Sequence, residues 1–360
     1  MTTGAASKSH HSSMAIERPL TGPVVFAVRG PSRSGKTAMC ERLIPALTSK
    51  GLRIAWLKRT HHELDLPGKS SDRVWVSGPA ATVVRAPDRL VVTLPAGSGN
   101  PEGLLSQIPG DVDVVLLETH EPVAYPTFLS DQLEDEADEL VLGRWTCFQE
   151  DAAVDAAVTG ILSRLPADRE LDRAMRASLR LHGGHGCAGL VLGTRLALAG
   201  AGALGIEVPD TKKRLIVVSE TDRCAVDGIQ AVTGCRPGKR TLRVLDYGKL
   251  AAIFLDEHTG RSVRVAARGD LRERVGATGE GRHAIQRAAY ASWPADELFT
   301  VREASFSLSQ YDRPGPPRAR VLCVTCGEEV SDGRHITTEL GPQCRPCRAG
   351  LETRNEGALA

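Results

Sequence analysis

Aromatic residues are scarce, at 4% of the 360 residues, so any core must rest on Val, Leu, Ile and Ala. Excess charge is missing too. Lys plus Arg number 45 and Asp plus Glu 44, for a formal charge of +1. That balance gives no electrostatic ground for a nucleic-acid or membrane-surface protein. Met1 to Ser13 is polar and small and lacks the apolar centre of a secretion signal. One stretch, Leu190 to Ile206, invites a membrane reading. It contains Arg195 and is broken by Gly193, Gly200, Gly202 and Gly205. A buried helix of a soluble domain is therefore predicted there. Internal repeats are lacking, and so is a C-x₂-C-x₂-C run of the iron–sulfur kind.

What is present is a globular balance of 41% hydrophobic and 25% charged residues. At about 150 residues per domain, the chain is long enough for two or three domains. Gly (36) and Pro (21) imply many turns and backbone-lined sites. The nine cysteines are Cys40, Cys147, Cys187, Cys224, Cys235, Cys323, Cys326, Cys344 and Cys347. With no secretion signal, their positions favour metal binding or catalysis over a disulfide framework.

Val24 to Arg29 reads as a buried strand. A Gly-rich turn follows, then a helix from Lys36 to Ser49 with Met39, Leu43 and Leu47 on one face. Arg53 to Lys58, Leu90 to Leu94, Asp111 to Glu118 and Glu139 to Leu142 read as strands, and Ala152 to Leu165 as a helix. Such alternation predicts an α/β domain with a mostly parallel sheet. Beyond Pro166 the pattern becomes α+β. A helix carries Leu171, Met175 and Leu179, a Gly/His/Cys cluster leads into a second apolar helix, and Leu215 to Glu220 is a strand. Cys224 to Val232 and Arg282 to Ser292 read as helices. Thr241–Asp246, Ala251–Asp256 and Ser262–Ala267 read as an antiparallel meander. The expected organisation is a disordered leader (1–20), an α/β domain (21–166), an α+β domain (167–312), a Pro-rich linker (313–320), a cysteine finger (321–350) and a tail (351–360).

Gly30-Pro31-Ser32-Arg33-Ser34-Gly35-Lys36-Thr37 fits G-x-x-x-x-G-K-[ST] and lies between the first strand and the first helix. In that setting backbone N–H groups and the helix N-terminus cradle phosphates. Lys36 would reach the β/γ-phosphates and the Thr37 hydroxyl would bind Mg²⁺. Gly30, Ser32, Ser34, Gly35, Lys36 and Thr37 are thus candidate nucleotide residues. Glu118 ends an apolar strand, where an acid assists Mg²⁺, or where it is simply an exposed strand-end carboxylate.

The residues from Val24 to about Leu165 resemble the molybdopterin-guanine dinucleotide biosynthesis adapter family, MobB. The likeness is carried by the loop above, Gly51-Leu-Arg-Ile-Ala-Trp-Leu-Lys58-Arg-Thr-His61-His62, Asp65-Leu-Pro-Gly68-Lys69-Ser70-Ser71, Arg73 with Gly78, and Asp113-Val-Val-Leu-Leu-Glu118. Against the family pattern, Arg59 replaces a His, Ser70 an Asp and Thr119 a Gly. The resemblance implies a GTP- and Mg²⁺-binding fold that assists a partner enzyme in molybdenum-cofactor maturation. It makes Lys58, His61, His62 and Lys69 candidate cofactor or nucleotide contacts.

His182-Gly-Gly-His185-Gly-Cys187-Ala-Gly189 precedes the apolar helix, and Cys224 and Cys235 flank the next one, with Asp222 and Asp227 near by. His and Cys in a Gly-rich turn can converge on one ion, and a helix N-terminus favours thiolate. His185-Gly-Cys187-Ala-Gly-Leu-Val-Leu-Gly193-Thr-Arg195, Glu220-Thr-Asp222-Arg-Cys224-Ala-Val-Asp227 through Cys235, Gly238-Lys239 and Asp246-Tyr247-Gly248-Lys249 resemble the FmdE family. That family takes its name from a polypeptide associated with formylmethanofuran dehydrogenase. The resemblance implies an α+β core with a Cys/His metal site, often followed by a treble-clef zinc finger. The expected ligands are His185, Cys187, Cys224 and Cys235, with His182 and Asp222 as further candidates. In the family turn the first His falls where Gly183 stands, and His182 is offset from it by one residue.

Cys323-Val-Thr-Cys326 and Cys344-Arg-Pro-Cys347 form two C-x₂-C pairs separated by 17 residues. This spacing predicts a structural Cys₄ Zn²⁺ site. His335 is expected to be exposed and unneeded. The overall expectation is a cytoplasmic, GTP-binding accessory protein of molybdenum or tungsten cofactor biosynthesis or delivery, with at most weak GTPase activity. It would hold a second transition metal in its middle domain. Expected partners are the nucleotide, a molybdenum-cofactor biosynthesis enzyme or molybdoenzyme client, and a second copy in a homodimer; membrane and nucleic acid are not. The alternatives are a nucleotide-dependent metallochaperone for another metal and an accessory component of a formylmethanofuran dehydrogenase-type oxidoreductase.

Overall fold

The computed structural model describes residues 23–58, 73–74, 76–77, 79, 82–85, 87–93, 105, 108, 111–136, 139–146, 151–279 and 281–350. They group into two compact units, Met1–Arg169 and Glu170–Ala360.

The first unit runs β1 (Val24–Arg29), α1 (Lys36–Thr48), β2 (Ile54–Lys58), β3 (Thr82–Arg85), β4 (Leu90–Thr93), β5 (Val114–Thr119), β6 (Thr127–Ser130), β7 (Val141–Trp145) and α2 (Asp151–Leu162). Its sheet has the order β2-β5-β1-β6-β7, with every neighbouring pair parallel. β3 and β4 form a separate antiparallel hairpin. Successive side chains of a strand point to opposite faces. Phe26 and Val28 therefore pack with Met39, Leu43 and Leu47 of α1, while Val25 packs with Val115 and Leu117 in a second cluster. Burial on both faces explains the unbroken apolar runs of β1 and β5. The strand expected over Glu139–Leu142 begins two residues later. Glu139 is instead held 2.7 Å from the buried Arg29 guanidinium, ahead of the strand.

The second unit contains α3 (Arg169–Leu181), α4 (Ala188–Leu204), β8 (Leu215–Ser219), α5 (Ala225–Thr233), β9 (Leu242–Val244), β10 (Ala251–Asp256), β11 (Ser262–Ala267), α6 (Leu271–Val275), α7 (Arg282–Ser292), α8 (Ala295–Leu298) and β12 (Phe299–Glu303). The sheet order is β12-β11-β10-β8-β9. Only part of the expected meander forms. β10 and β11 are an antiparallel hairpin, but β9 lies on the far side of β8 and parallel to it. The reason is α5, a crossover helix that carries the chain to the outer edge of β8. The apolar stretch that resembled a span is α4, packed against this sheet. Among the described residues no helix is long and apolar enough to cross a membrane.

α4 and α5 touch backbone to backbone. A Cβ on Gly193 would lie 2.5 Å from Ala225 Cα, and one on Gly228 2.6 Å from Thr194 N. Neither neighbour is a side chain that can swing away. Gly193→Val is therefore expected to destabilise the protein by about 1–3 kcal/mol. A thermal unfolding midpoint equal to that of the parent chain would contradict this contact.

The unit ends in a small finger: β13 (Arg320–Leu322), β14 (Glu329–Ser331), β15 (His335–Thr338), β16 (Gly341–Cys344) and α9 (Arg345–Arg348). Two antiparallel hairpins, β13–β14 and β15–β16, bring its cysteines together. Ion pairs tie it to the α+β body. Asp332 accepts from Arg240 at 2.6 Å and from the Arg318 backbone at 2.7 Å, and Asp312 lies 2.9 Å from Arg243 and 2.8 Å from Arg334.

Candidate nucleotide and metal sites

β1 ends at the C-terminal edge of the parallel sheet, where α/β folds place their ligands. The loop from Gly30 to Thr37 turns there into α1. Gly35 takes φ 95° as the residue that caps α1, a left-handed conformation that favours glycine. Lys36 Nζ donates to Gly30 O at 2.9 Å and to Pro31 O at 2.7 Å, so the ammonium sits within the curve of the loop. Burial pushes its pKa down, opposed by the nearby Glu118. Thr37 Oγ1 donates to both Glu118 carboxylate oxygens, at 2.8 and 3.0 Å. Glu118 is only 4% exposed, which removes the surface-carboxylate alternative. Lys58 Nζ lies 2.8 Å from the same carboxylate.

These groups line a cavity of about 880 Å³, together with Ser32, Ser34, His120 and Leu133. His120 and Leu133 follow β5 and β6 and belong to no motif, so sequence spacing gave no signal for them. His61, His62 and Lys69 lie outside the described residues.

In the second unit, ligand atoms of His182, Cys187 and Cys224 lie within 4.8 Å of one another. Cys187 caps α4, its Sγ accepting from Leu190 N at 3.4 Å, and Cys224 caps α5. Burial and the neighbouring Cys187 raise the Cys224 thiol pKa. His182 Nδ1 lies 2.6 Å from Asp227 Oδ2, which leaves its other ring nitrogen for a ligand. Asp222, a further ligand candidate from the sequence, is not in the trio. Asp227 stands three residues after Cys224, one helical turn on, and that spacing was the available signal. His185 is not in the trio; its ring centroid is 6.0 Å from that of His182. Cys235 is also elsewhere. It is a core thiol whose Sγ donates to Leu215 O at 3.3 Å, and burial pushes its pKa up to about 11.

In the finger, the four sulfur atoms of Cys323, Cys326, Cys344 and Cys347 lie within 4.8 Å of one another. Cys326 Sγ and Cys344 Sγ are 3.9 Å apart. A tetrahedral zinc with ~2.3 Å bonds spaces its sulfurs at about 3.8 Å. The backbone N–H groups of Cys344 and Cys326 aim at Cys323 Sγ and lower its pKa to about 6, which favours the thiolate a metal requires. All four are free thiols. His335 is half-buried rather than exposed, with its Nδ1 enclosed.

The family model described as "Molybdopterin guanine dinucleotide synthesis protein B" matches residues 25–129. The molybdopterin-guanine dinucleotide biosynthesis adapter protein of Escherichia coli (strain K12) is 32% identical over 121 residues, which are 31% of this chain and 69% of that protein. The chain belongs to the MobB adapter family. In this MobB-family chain a second family model, described as "FmdE, Molybdenum formylmethanofuran dehydrogenase operon", matches residues 182–300. One chain thus joins a MobB segment to an FmdE segment and a cluster of four cysteines. Among solved structures, a tungsten formylmethanofuran dehydrogenase FmdE-like protein from Syntrophus aciditrophicus is 21% identical. It covers 50% of this chain and 92% of its own, with a TM-score of 0.36. Bacillus subtilis MobB is 20% identical, covering 41% of this MobB-family chain and 99% of its own, with a TM-score of 0.31.

Proposed function

We propose that the chain is a GTP-binding accessory protein of molybdenum or tungsten cofactor biosynthesis or delivery. Its FmdE-like domain would hold a second metal at His182, Cys187 and Cys224. The observation that carries the nucleotide part is the Lys36, Thr37 and Glu118 arrangement at the mouth of one cavity. Thr37 and Glu118 would hold Mg²⁺, which supplies charge neutralisation for the phosphates. Lys36 orients the β/γ-phosphates, and the loop's backbone N–H groups bind the rest. The MobB relative bears the name of an adapter, which supports action on a partner enzyme rather than free-standing turnover.

Three close protein ligands leave room for a fourth, exchangeable one, the mark of a transfer or reactive site rather than a structural one. That favours, as the second reading, a nucleotide-dependent metallochaperone. Full-length protein purified without oxygen is expected to contain two metal equivalents and to bind GTP more tightly than ATP in calorimetry. Cys187→Ser should retain one metal. If it retains both, the trio is not a metal site. If GTP and ATP bind equally, the guanine preference is wrong.

A further inference from the structure

Lys58 closes β2 beside Glu118, its register partner on β5. Its Nζ lies 2.8 Å from Glu118 Oε1 and 3.3 Å from Thr37 Oγ1. One ammonium therefore gathers the hydroxyl and the carboxylate that hold Mg²⁺ in a phosphate loop of this kind. The donors suit that ion, being hard oxygens, one of them on a buried carboxylate. Mg²⁺ takes its oxygens at about 2.0–2.1 Å and demands near-octahedral geometry. A cation that already contacts both oxygens cannot share them with it.

We propose that Lys58 is a built-in competitor for the magnesium position. Its ammonium holds Thr37 and Glu118 in place, and on arrival of a Mg²⁺-triphosphate it leaves the carboxylate and turns to the phosphates. This rests on the nucleotide reading above and names the residue that sets the ion dependence of binding. The Lys58 side chain can make that move. It is 36% exposed, so it is not locked in the core. Trp56 shares its face of the strand two residues earlier, 46% exposed, with its ring centroid 5.8 Å from Nζ. The ammonium already lies near that ring while it is paired with Glu118, so its departure toward the phosphates changes the ring's surroundings and is reported by fluorescence.

Competition makes a prediction that ordinary phosphate contact does not. Lys58→Met should lower the Mg²⁺ concentration that half-saturates GTP binding by about tenfold, because the ion no longer displaces a charge. The same variant should bind GTP more weakly in chelator, where a cation beside the phosphates has been lost. Lys58→Arg keeps the charge, so its Mg²⁺ midpoint should equal or exceed that of the parent chain. A mere phosphate ligand would weaken binding by one factor at every Mg²⁺ concentration. A purely structural ion pair would leave both quantities unmoved.

The experiment titrates Mg²⁺ into full-length protein at fixed GTP, followed by calorimetry and tryptophan fluorescence. Trp56→Phe identifies the reporting ring, and thermal unfolding of Lys58→Met and Lys58→Gln checks that each variant is folded. The proposal is upheld by a lowered midpoint in Lys58→Met and Lys58→Gln together with a retained or raised one in Lys58→Arg. It is overturned if GTP binds the parent chain and the midpoints of the uncharged variants are unchanged or higher. If the parent chain binds no GTP at any Mg²⁺ concentration, the nucleotide reading itself fails, a result distinct from an unmoved midpoint.

Discussion

Lys36→Ala is expected to weaken triphosphate binding by about 10- to 100-fold. A hydrogen bond to a charged group contributes about 1.5–3 kcal/mol, and each 1.4 kcal/mol is a factor of about ten. The ammonium has a second task in this loop. By donating to Gly30 O and Pro31 O it holds two carbonyls inward that would otherwise repel a phosphate. Its loss therefore removes a cation and loosens the curve that presents the backbone N–H groups. Thr37 and Glu118 keep their mutual hydrogen bonds, so the ion position is left in place. Calorimetry with GTP on both proteins checks the prediction. Equal affinity in a folded Lys36→Ala protein would remove the phosphate-loop reading altogether.

The second large effect is expected in the finger. Replacing Cys323 and Cys326 together by Ser should remove one zinc equivalent and leave the chain beyond Arg318 open to protease. The buried apolar side chains of this segment are Cys323 and Cys344 themselves, while Leu322, Val324 and Leu340 are exposed. With so little apolar burial, the expected metal ligation would supply the folding energy, and structural zinc in finger peptides supplies about 10–16 kcal/mol. Loss of the finger also takes Asp332 away from Arg240, so its attachment to the α+β body should fail in the same step. Elemental analysis and limited proteolysis read the two consequences. Zinc content unchanged, with a protected tail, would refute the Cys₄ assignment.

The sequence carried local chemistry well and long-range geometry poorly. The strand, loop and helix around Lys36 were legible because period, glycine placement and the lysine all lie within a few residues of one another. The strand of Glu118 was legible from its apolar run, but not that its acid is buried, because burial is decided by Thr37 and Lys58 from other elements. The parallel pairing of β9 with β8 was hidden for a similar reason. Alternation marks a strand but not its neighbour, and α5 decides the edge to which the chain returns. At the proposed metal trio, the register of the FmdE-like turn ranked His185 above His182. The turn with Gly183 at φ 68° and Gly184 at φ 82° reverses that order, since it carries the His182 ring back toward Asp227 and the two thiols. Cys235 looked like a ligand because it flanks the same helix as Cys224. It lies at the opposite end of α5, and a nine-residue helix separates its ends by far more than one ion can span.

The glycine contact between α4 and α5 would bear on which ion the proposed trio accepts. Cys187 and Cys224 each cap one of these helices, and the helices meet through main chain at Gly193 and Gly228. The jaws that carry the two sulfurs are thus set by peptide atoms in van der Waals contact, which yield far less than interleaved side chains. The pair works as a fixed caliper. An ion whose preferred bond length fits the opening binds without moving either helix, whereas a larger or smaller one must strain a backbone contact. Size discrimination at this site would then originate about one to two helical turns away from the sulfurs, in two residues that never touch the metal.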